Sequence, residues 1–396
     1  MIFAFYTVVI SPHQIPLARE LVKILGKENY RYVAAEPLNL DRTGLGWGNS
    51  LDEEWLVKAW VKRDEAIDIL NNVEVLMTGV RDIDLMKRRA NQGLKTIYCS
   101  ERWFKPSLGI LRLLKPSYFK TAIRFVRLLR DNPNIFYFAI GVHAASDMAR
   151  LCALLRGNFR SLFASPRLIV NQQPGTTLMA VESGDGKLFC LDKIRLWGYF
   201  VQNSSCSCVA RQKRHVTKAN EVKPHSVRVL WVGRLLRWKR VDSIVRAVIE
   251  LAHDERKDGR RSSGVSLDIY GKGPMFKQIE KSAKKNSGII KINPPVPINE
   301  VRNLMQTHDI YVLASNASEG WGAVVNEALA EGMKVIGTYE AGASATMLPL
   351  VNLFHAGDWC TLKDLLKSEI QDVSLGAWTP EGGALALKQF IGRFVQ

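Results

Sequence analysis

IYVLASNASEGWGAVVNEALAEGMKVIGTY, residues Ile310–Tyr339, holds one complete structural unit. IYVLAS reads as a buried strand, a glycine-bearing polar turn follows, VVNEALA carries a helical pattern, and KVIGTY reads as a second buried strand. Strand, turn, helix and strand in that order make a βαβ unit of a parallel sheet. Inside it, Glu319 and Glu327 stand with seven residues between them, on either side of Gly320-Trp321-Gly322. The two glycines allow a tight turn, so that the N–H groups at the helix start, Ala323 and Val324, can face an anion.

The same grammar extends outward in both directions. Upstream, VRVLWVG (227–233) is a strand, a helix starts near Val241, and SLDIYG, IIKINP and IYVLAS are further strands with amphipathic helices between them. The first half repeats the pattern. IFAFYTVVI, YRYVAAEP, VEVLMTG, KTIYCS and IFYFAI read as strands, with helical stretches over QIPLARELVKIL, about 52–71 and 80–91. The stretch 201–226 is polar, basic and aperiodic, as an interdomain linker is. The expected architecture is α/β, with two Rossmann-like doubly wound domains facing each other across a cleft. The N-terminal domain spans 1–200, the linker 201–226 and the C-terminal domain 227–380. A final helix over 381–396 crosses back to the first domain.

Composition narrows the class. The chain has 396 residues, 47% of them hydrophobic, and a formal charge of +17, which asks for an anionic partner. No apolar run is long enough for a spanning helix, and the apolar start lacks a basic leader region. The six cysteines show no metal-ligand spacing and read as free thiols.

Three motifs fall at strand ends of the second half: Gly233-Arg234-Leu235 with Lys239, Gly271-Lys272-Gly273-Pro274, and the Glu319–Glu327 turn. Arg234 and Lys239 supply two cations for paired phosphates, while carboxylates accept hydrogen bonds from sugar hydroxyls. Over residues 227–345 this pattern resembles the donor-binding domain of family 4 glycosyltransferases, which have the GT-B fold and retain anomeric configuration. The resemblance implies that Arg234 and Lys239 hold the donor diphosphate, Glu327 the nucleotide ribose and Glu319 the sugar. Gly233, Gly271, Gly273, Gly320, Trp321, Gly322, Ala323 and Val324 complete the donor site it implies. Two positions depart from the pattern: Arg240 stands where the family often has Gly, and Ala314 where it often has Pro.

The first half is less explicit. His13 and His143 follow strands and are candidates to orient a hydroxyl or shuttle a proton, His143 being grouped with Glu319, Arg234 and Lys239 as catalytic. Glu101 and Arg102, after KTIYCS, are candidate acceptor contacts, or equally a surface ion pair. In LGILRLLKPSYFKTAIRFVRLLRDN (108–132) a helical wheel puts Lys120, Arg124 and Arg127 on one face and Ala122, Phe125, Val126 and Leu129 opposite. Such a basic amphipathic helix suits an anionic membrane or lipid phosphate. Asp82-Ile83-Asp84 resembles a metal-binding pattern but opens a helix, where carboxylates commonly cap.

The expected activity is hexose transfer from a nucleotide-diphospho-sugar to a hydroxyl of a glycan or lipid-linked acceptor, without a metal or other cofactor. UDP-sugars come ahead of GDP-mannose because the family uses them more often. The expected location is cytoplasmic, peripheral on the inner face of the plasma membrane, with no nucleic-acid partner. A sugar-nucleotide epimerase of the same build and a non-catalytic basic nucleic-acid-binding protein are the alternatives.

Overall fold

The computed structural model describes residues 1–38, 52–155, 157, 167–169, 173–181, 189–202, 227–257 and 264–393. Nearly all of the expected linker, 203–226, lies outside the described residues. The chain forms two compact units, Met1–Val201 with Gly376–Gln396, and Gln202–Leu375.

The sheet of the first unit has nine strands: β1 Phe3–Thr7, β2 Tyr30–Ala34, β3 Leu56–Lys58, β4 Val75–Thr78, β5 Lys95–Ser100, β6 Ile135–Ile140, β7 Arg167–Ile169, β8 Thr177–Val181 and β9 Phe189–Trp197. Their spatial order is β3-β2-β1-β4-β5-β6-β9-β8-β7. Pairing is parallel from β3 to β9 and antiparallel between β9, β8 and β7. Among the described residues, helices follow β1, β3, β4, β5 and β6: α1 Ile15–Leu25, α2 Arg63–Asn72, α3 Ile83–Asn91, α4 Pro116–Asp131 and α5 Val142–Leu155.

The sheet of the second unit has six parallel strands: β10 Val227–Val232, β11 Val265–Tyr270, β12 Ile290–Asn293, β13 Ile310–Leu313, β14 Lys334–Thr338 and β15 Leu353–Phe354. Their order is β12-β11-β10-β13-β14-β15. Its helices are α6 Val241–Lys257, α7 Phe276–Lys285, α8 Ile298–Thr307, α9 Val324–Ala330, α10 Gly342–Met347 and α11 Trp359–Lys367. Both units are α/β and Rossmann-like. In each, strand order reverses once along the parallel run, between β1 and β4 and between β10 and β13. Loops leaving adjacent strands diverge at such a point and open a crevice at the carboxyl edge.

The last helix, α12 Pro380–Ile391, belongs to the first unit. Thr379 caps it through Gly382 N–H at 3.1 Å. Phe390 meets Phe136 and Phe138 edge-on at 4.9 and 5.2 Å. A side chain at Gly383 would strike the Phe200 ring at 2.7 Å.

Two stretches fold differently from their periodicity. The helix expected over 52–71 begins only at Arg63, because Leu56 and Val57 are buried beside β2 as a short strand. The basic helix expected from Leu108 is split into a 3-10 turn, Gly109–Leu114, and α4. Pro116 forces the break, since it pushes Lys115 into extended backbone (φ −80°, ψ 115°) and cannot donate to the preceding turn. Beyond the break, Ala122, Phe125, Val126 and Leu129 are the buried face of α4.

Candidate functional site

The crevice of the second unit is built by close backbone contact. After β10 the chain enters a loop that interlocks with the loop after β11: Leu235 N–H donates to Lys272 O at 2.9 Å, and Met275 N–H to Leu235 O at 3.0 Å. A Cβ on Gly271 would lie 1.9 Å from Gly233 O, and one on Gly273 2.7 Å from Leu235 O, so these positions admit no side chain. Gly233 and Gly273 also have φ of 154° and 153°. The loop ends in a 3-10 turn, Arg237–Lys239, and then Arg240, whose left-handed backbone (φ 50°, ψ 38°) explains why glycine suits this position. Across the strand-order reversal, Asn316 N–H donates to Trp238 O at 2.9 Å, joining this loop to the one after β13.

The β13 loop carries Glu319, whose side chain is 11% exposed. One carboxylate oxygen accepts from both Lys239 Nζ and Ser315 Oγ, the latter at 2.8 Å. The Lys239 ammonium also lies 4.6 Å from the centre of the Trp238 ring. Sequence spacing does not show this pair, since eighty residues separate its members. Gly322 (φ 88°) closes the turn, and α10 docks under it through Gly342 N–H to Gly320 O (3.1 Å) and Ala343 N–H to Trp321 O (2.7 Å). The amides of Gly322, Ala323 and Val324 donate to no backbone carbonyl among the described residues. Trp321 is fully enclosed, and its indole N–H donates to Asn326 Oδ1 at 2.7 Å. Its side chain therefore braces the turn from inside and offers no surface to a ligand. Arg234 follows Gly233 and is exposed.

Glu327 sits in the first turn of α9. Its side chain keeps some accessible surface, yet enough protein surrounds it that burial pushes its carboxyl up to about 7, against the opposing pull of Arg302. Arg302 on α8 donates to the buried Glu331, which also accepts from Gln306 at 2.9 Å, so α8 and α9 are locked together beneath Glu327. Glu319 and Glu327 share a neighbour in the buried Tyr311, whose phenol is driven up by burial and then by both carboxylates. That hydroxyl reaches Val232 O at 3.4 Å, one residue before Gly233.

Because the folded-state value of Glu327 is raised, its contribution favours folding below about pH 4.5 and is lost as pH rises through about 7. Glu327→Gln should flatten this slope and raise stability above pH 7 by about 1–2 kcal/mol, a shift of this size being discounted for the accessible part of the group. The check is urea denaturation of both proteins at several pH values. Equal slopes would contradict it.

A hollow of about 600 Å³ beside these loops is lined by Arg237, Trp238 and Asn316 among others, but not by Lys239, Glu319 or Glu327. The second candidate hollow, of about 490 Å³, lies where the sheet of the first unit reverses. It brings together three expected residues, His13, Glu101 and Arg102, with Arg81, Lys105 and Tyr199, which no motif marks. Their only signal in the sequence is position, since Arg81 and Lys105 follow the ends of β4 and β5. Burial lowers His13 to about 4, so at neutral pH it is an uncharged hydrogen-bonding group and not a proton donor.

His143 is the second residue of α5, in the first unit, whereas Glu319, Arg234 and Lys239 belong to the second. Asp82 caps α3 through Leu85 N–H at 2.8 Å, and Asp84 pairs with Arg124 at 2.7 Å. Lys120 and Arg127 are exposed on α4. No described helix is long and apolar enough to cross a membrane.

Residues 213–374 match the family described as "Glycosyl transferases group 1". No curated protein matches the sequence significantly. Among solved structures, the chain is similar to HepE of Anabaena in complex with UDP (TM-score 0.57, 13% identity, 100% of this chain and 96% of that one). It is also similar to OtsA without ligand (0.56, 10%, 99% and 96%). The apo lipopolysaccharide outer core galactosyltransferase WaaB is a third (0.55, 12%, 100% and 100%). At these identities the likeness establishes the two-domain GT-B fold.

Proposed function

We propose that the chain is a glycosyltransferase, a reading supported by the match of residues 213–374 to the group 1 family, and within that class a retaining, metal-independent hexosyltransferase using a nucleotide-diphospho-sugar. The observation that carries this reading is the Lys239–Glu319 pair, which joins the loops leaving β10 and β13 across the strand-order reversal. A cation and a carboxylate at that crevice match the two ends of the donor's reacting bond. Lys239 has three N–H donors, so with one on Glu319 it still offers two to phosphate oxygens. Arg234 adds an exposed guanidinium, and the amides of Gly322, Ala323 and Val324, which donate to no backbone carbonyl among the described residues, add fixed dipoles.

In this reading Glu327 accepts from the ribose hydroxyls and Glu319 from the hexose. The acceptor hydroxyl attacks C1 on the face the diphosphate leaves. The C1–O bond to phosphate breaks as the bond to the acceptor oxygen forms, and the hydroxyl proton passes to a phosphate oxygen. Arg234 and Lys239 stabilise the departing charge, so no side-chain nucleophile is required. His143 remains a candidate to orient a hydroxyl in the first unit. UDP-sugars lead GDP-mannose as donors, a preference supported by the UDP held by HepE in the similar structure.

The acceptor is a glycan or lipid-linked glycan at an anionic membrane, on the cytoplasmic face of the plasma membrane. Support comes from α4 and the turn before it. Lys120 and Arg127 are exposed there close in sequence to Leu111 (55% exposed), Leu114 (78%) and Phe119 (43%). Cations beside bare apolar side chains suit a lipid headgroup boundary. Arg124 contributes less, being paired with Asp84.

A thermal-shift screen of UDP-, GDP- and dTDP-sugars, with and without EDTA, tests the donor and the metal together. One nucleotide at about a hundred times its Kd should stabilise the protein by about 2.7 kcal/mol with chelator present. No shift with any of them, or a shift abolished by EDTA, would overturn the reading.

A further inference from the structure

The hollow at the reversal point of the first sheet has a charge pattern that the transfer reaction alone does not explain. Arg81, Arg102 and Lys105 line it, and Glu101 is the one carboxylate among its lining residues. Three cations against one carboxylate leave an excess of two. His13 adds no charge at neutral pH, because burial holds it near 4.

The cations are held in place. Arg81 Nε donates to the Tyr98 hydroxyl at 3.1 Å, and its guanidinium carbon lies 4.4 Å from the centre of the buried Trp103 ring. One nitrogen and one face are therefore engaged, while the terminal nitrogens have no partner among the described residues. Asp82, the adjacent carboxylate, is turned away to cap α3. Arg102 is backed by Asp147 at 3.8 Å, and Asp147 is shared with Arg150 at 4.0 Å and accepts from Phe104 N–H at 2.9 Å. Burial pushes the Asp147 carboxyl up, against the pull of Arg102 and Arg150. Lys105 pairs with Glu101 at 2.6 Å, and the Tyr199 hydroxyl approaches the other Glu101 oxygen at 3.4 Å. The cations approach from two strand ends: Arg81 follows β4, and Arg102 and Lys105 follow β5.

A pinned guanidinium fork with free terminal nitrogens, facing two further cations, suits a multidentate oxyanion. We infer that this crevice is a phosphate subsite for the acceptor, so that the substrate receiving the sugar carries a phosphoryl group, on a soluble sugar or on a lipid carrier. The inference rests on the transferase reading for the word acceptor; anion binding itself does not depend on it.

The test uses the full chain, with glucose 6-phosphate, glucose and vesicles containing phosphatidic acid as probes. By calorimetry, glucose 6-phosphate should bind at least about tenfold more tightly than glucose, and Arg81→Gln should remove that advantage. Arg81→Lys, which keeps the charge but not the fork, should retain part of it. Glu101→Gln should strengthen binding by freeing Lys105. Lys239→Met should leave it unchanged, which separates this subsite from phosphate sites on the second unit. Unfolding curves confirm that each variant is folded. Vesicle binding that is lost in Arg81→Gln, without glucose 6-phosphate binding, supports the same subsite with the phosphate on a lipid.

Equal affinity for glucose and glucose 6-phosphate, together with vesicle binding indifferent to Arg81→Gln, overturns the inference. So does phosphate binding lost in Lys239→Met and kept in Arg81→Gln. If no nucleotide sugar binds while the Arg81-dependent anion site persists, the transferase reading fails and the anion site stands. Donor binding without the anion site means the opposite: the transferase reading stands and the subsite falls.

Discussion

Lys239→Met is expected to weaken UDP-sugar binding by about ten- to a hundredfold and to lower donor turnover by about 10²–10³-fold, the range for removing one preorganised charge stabiliser. The size follows from how firmly Lys239 is placed. It ends a 3-10 turn, sits over the Trp238 ring and contacts Glu319, so little reorganisation precedes its contact with a diphosphate. The same change leaves the Glu319 carboxylate without its cation, keeping only Ser315 at 2.8 Å, and should cost about 1–3 kcal/mol of stability. The double variant Lys239→Met/Glu319→Gln separates the two effects. It should regain most of the stability, because no unpaired charge remains, and none of the turnover. Calorimetry with UDP-sugars, donor-hydrolysis rates and urea denaturation read these quantities. Wild-type turnover in the single variant would remove Lys239 from the chemistry.

The largest stability effect is expected at Arg89, which is 0% exposed. Its guanidinium donates to Leu70 O (2.8 Å), Val73 O (2.7 Å), Lys95 O (3.0 Å) and Thr96 Oγ1 (3.1 Å). Two of those carbonyls close the C-terminal end of α2, where the helix dipole favours a cation. Burial lowers Arg89 only to about 10, so it stays charged at neutral pH. Arg89→Met removes the cation and leaves those acceptors buried without their donor, at a cost of about 3–5 kcal/mol. Arg89→Lys should recover less than half, since one ammonium cannot reproduce the planar fork. The readout is the urea midpoint at constant m-value, and an unchanged midpoint would show that the cavity rehydrates or repacks at no net cost.

Several parts of this architecture are legible in the residues alone. The alternation of short apolar runs with amphipathic helices gives two α/β sheets because burial on both faces requires it. The buried face of α4 follows from the spacing of Ala122, Phe125, Val126 and Leu129. Glycine at 233, 271 and 273 marks backbone approaching backbone, and the clashes a Cβ would meet there give the reason. Arg240 is instructive in the same way: glycine suits its left-handed backbone, and arginine occupies it nonetheless.

Other parts are not legible. Strand β3 is hidden under a helical pattern, because three residues are too few to set a period. Trp321 stands between two glycines, a place that suggests contact with a ligand, yet its ring fills the space behind the turn. Arg81 lies beside an Asp-x-Asp pattern whose carboxylates stand out in the sequence but only cap a helix and pair with Arg124.

Periodicity, glycine spacing and capping are local matters, since they depend on residues within a turn or two of one another, and a single chain displays them directly. Which strand ends become neighbours depends on strand order, set by packing among elements far apart in the chain. The Lys239–Glu319 contact, the rise of Glu327 to about 7 and the gathering of Arg81 with Arg102 and Lys105 exist only once that order is established. Electrostatic environment depends on proximity and burial in space, which no spacing along the chain encodes.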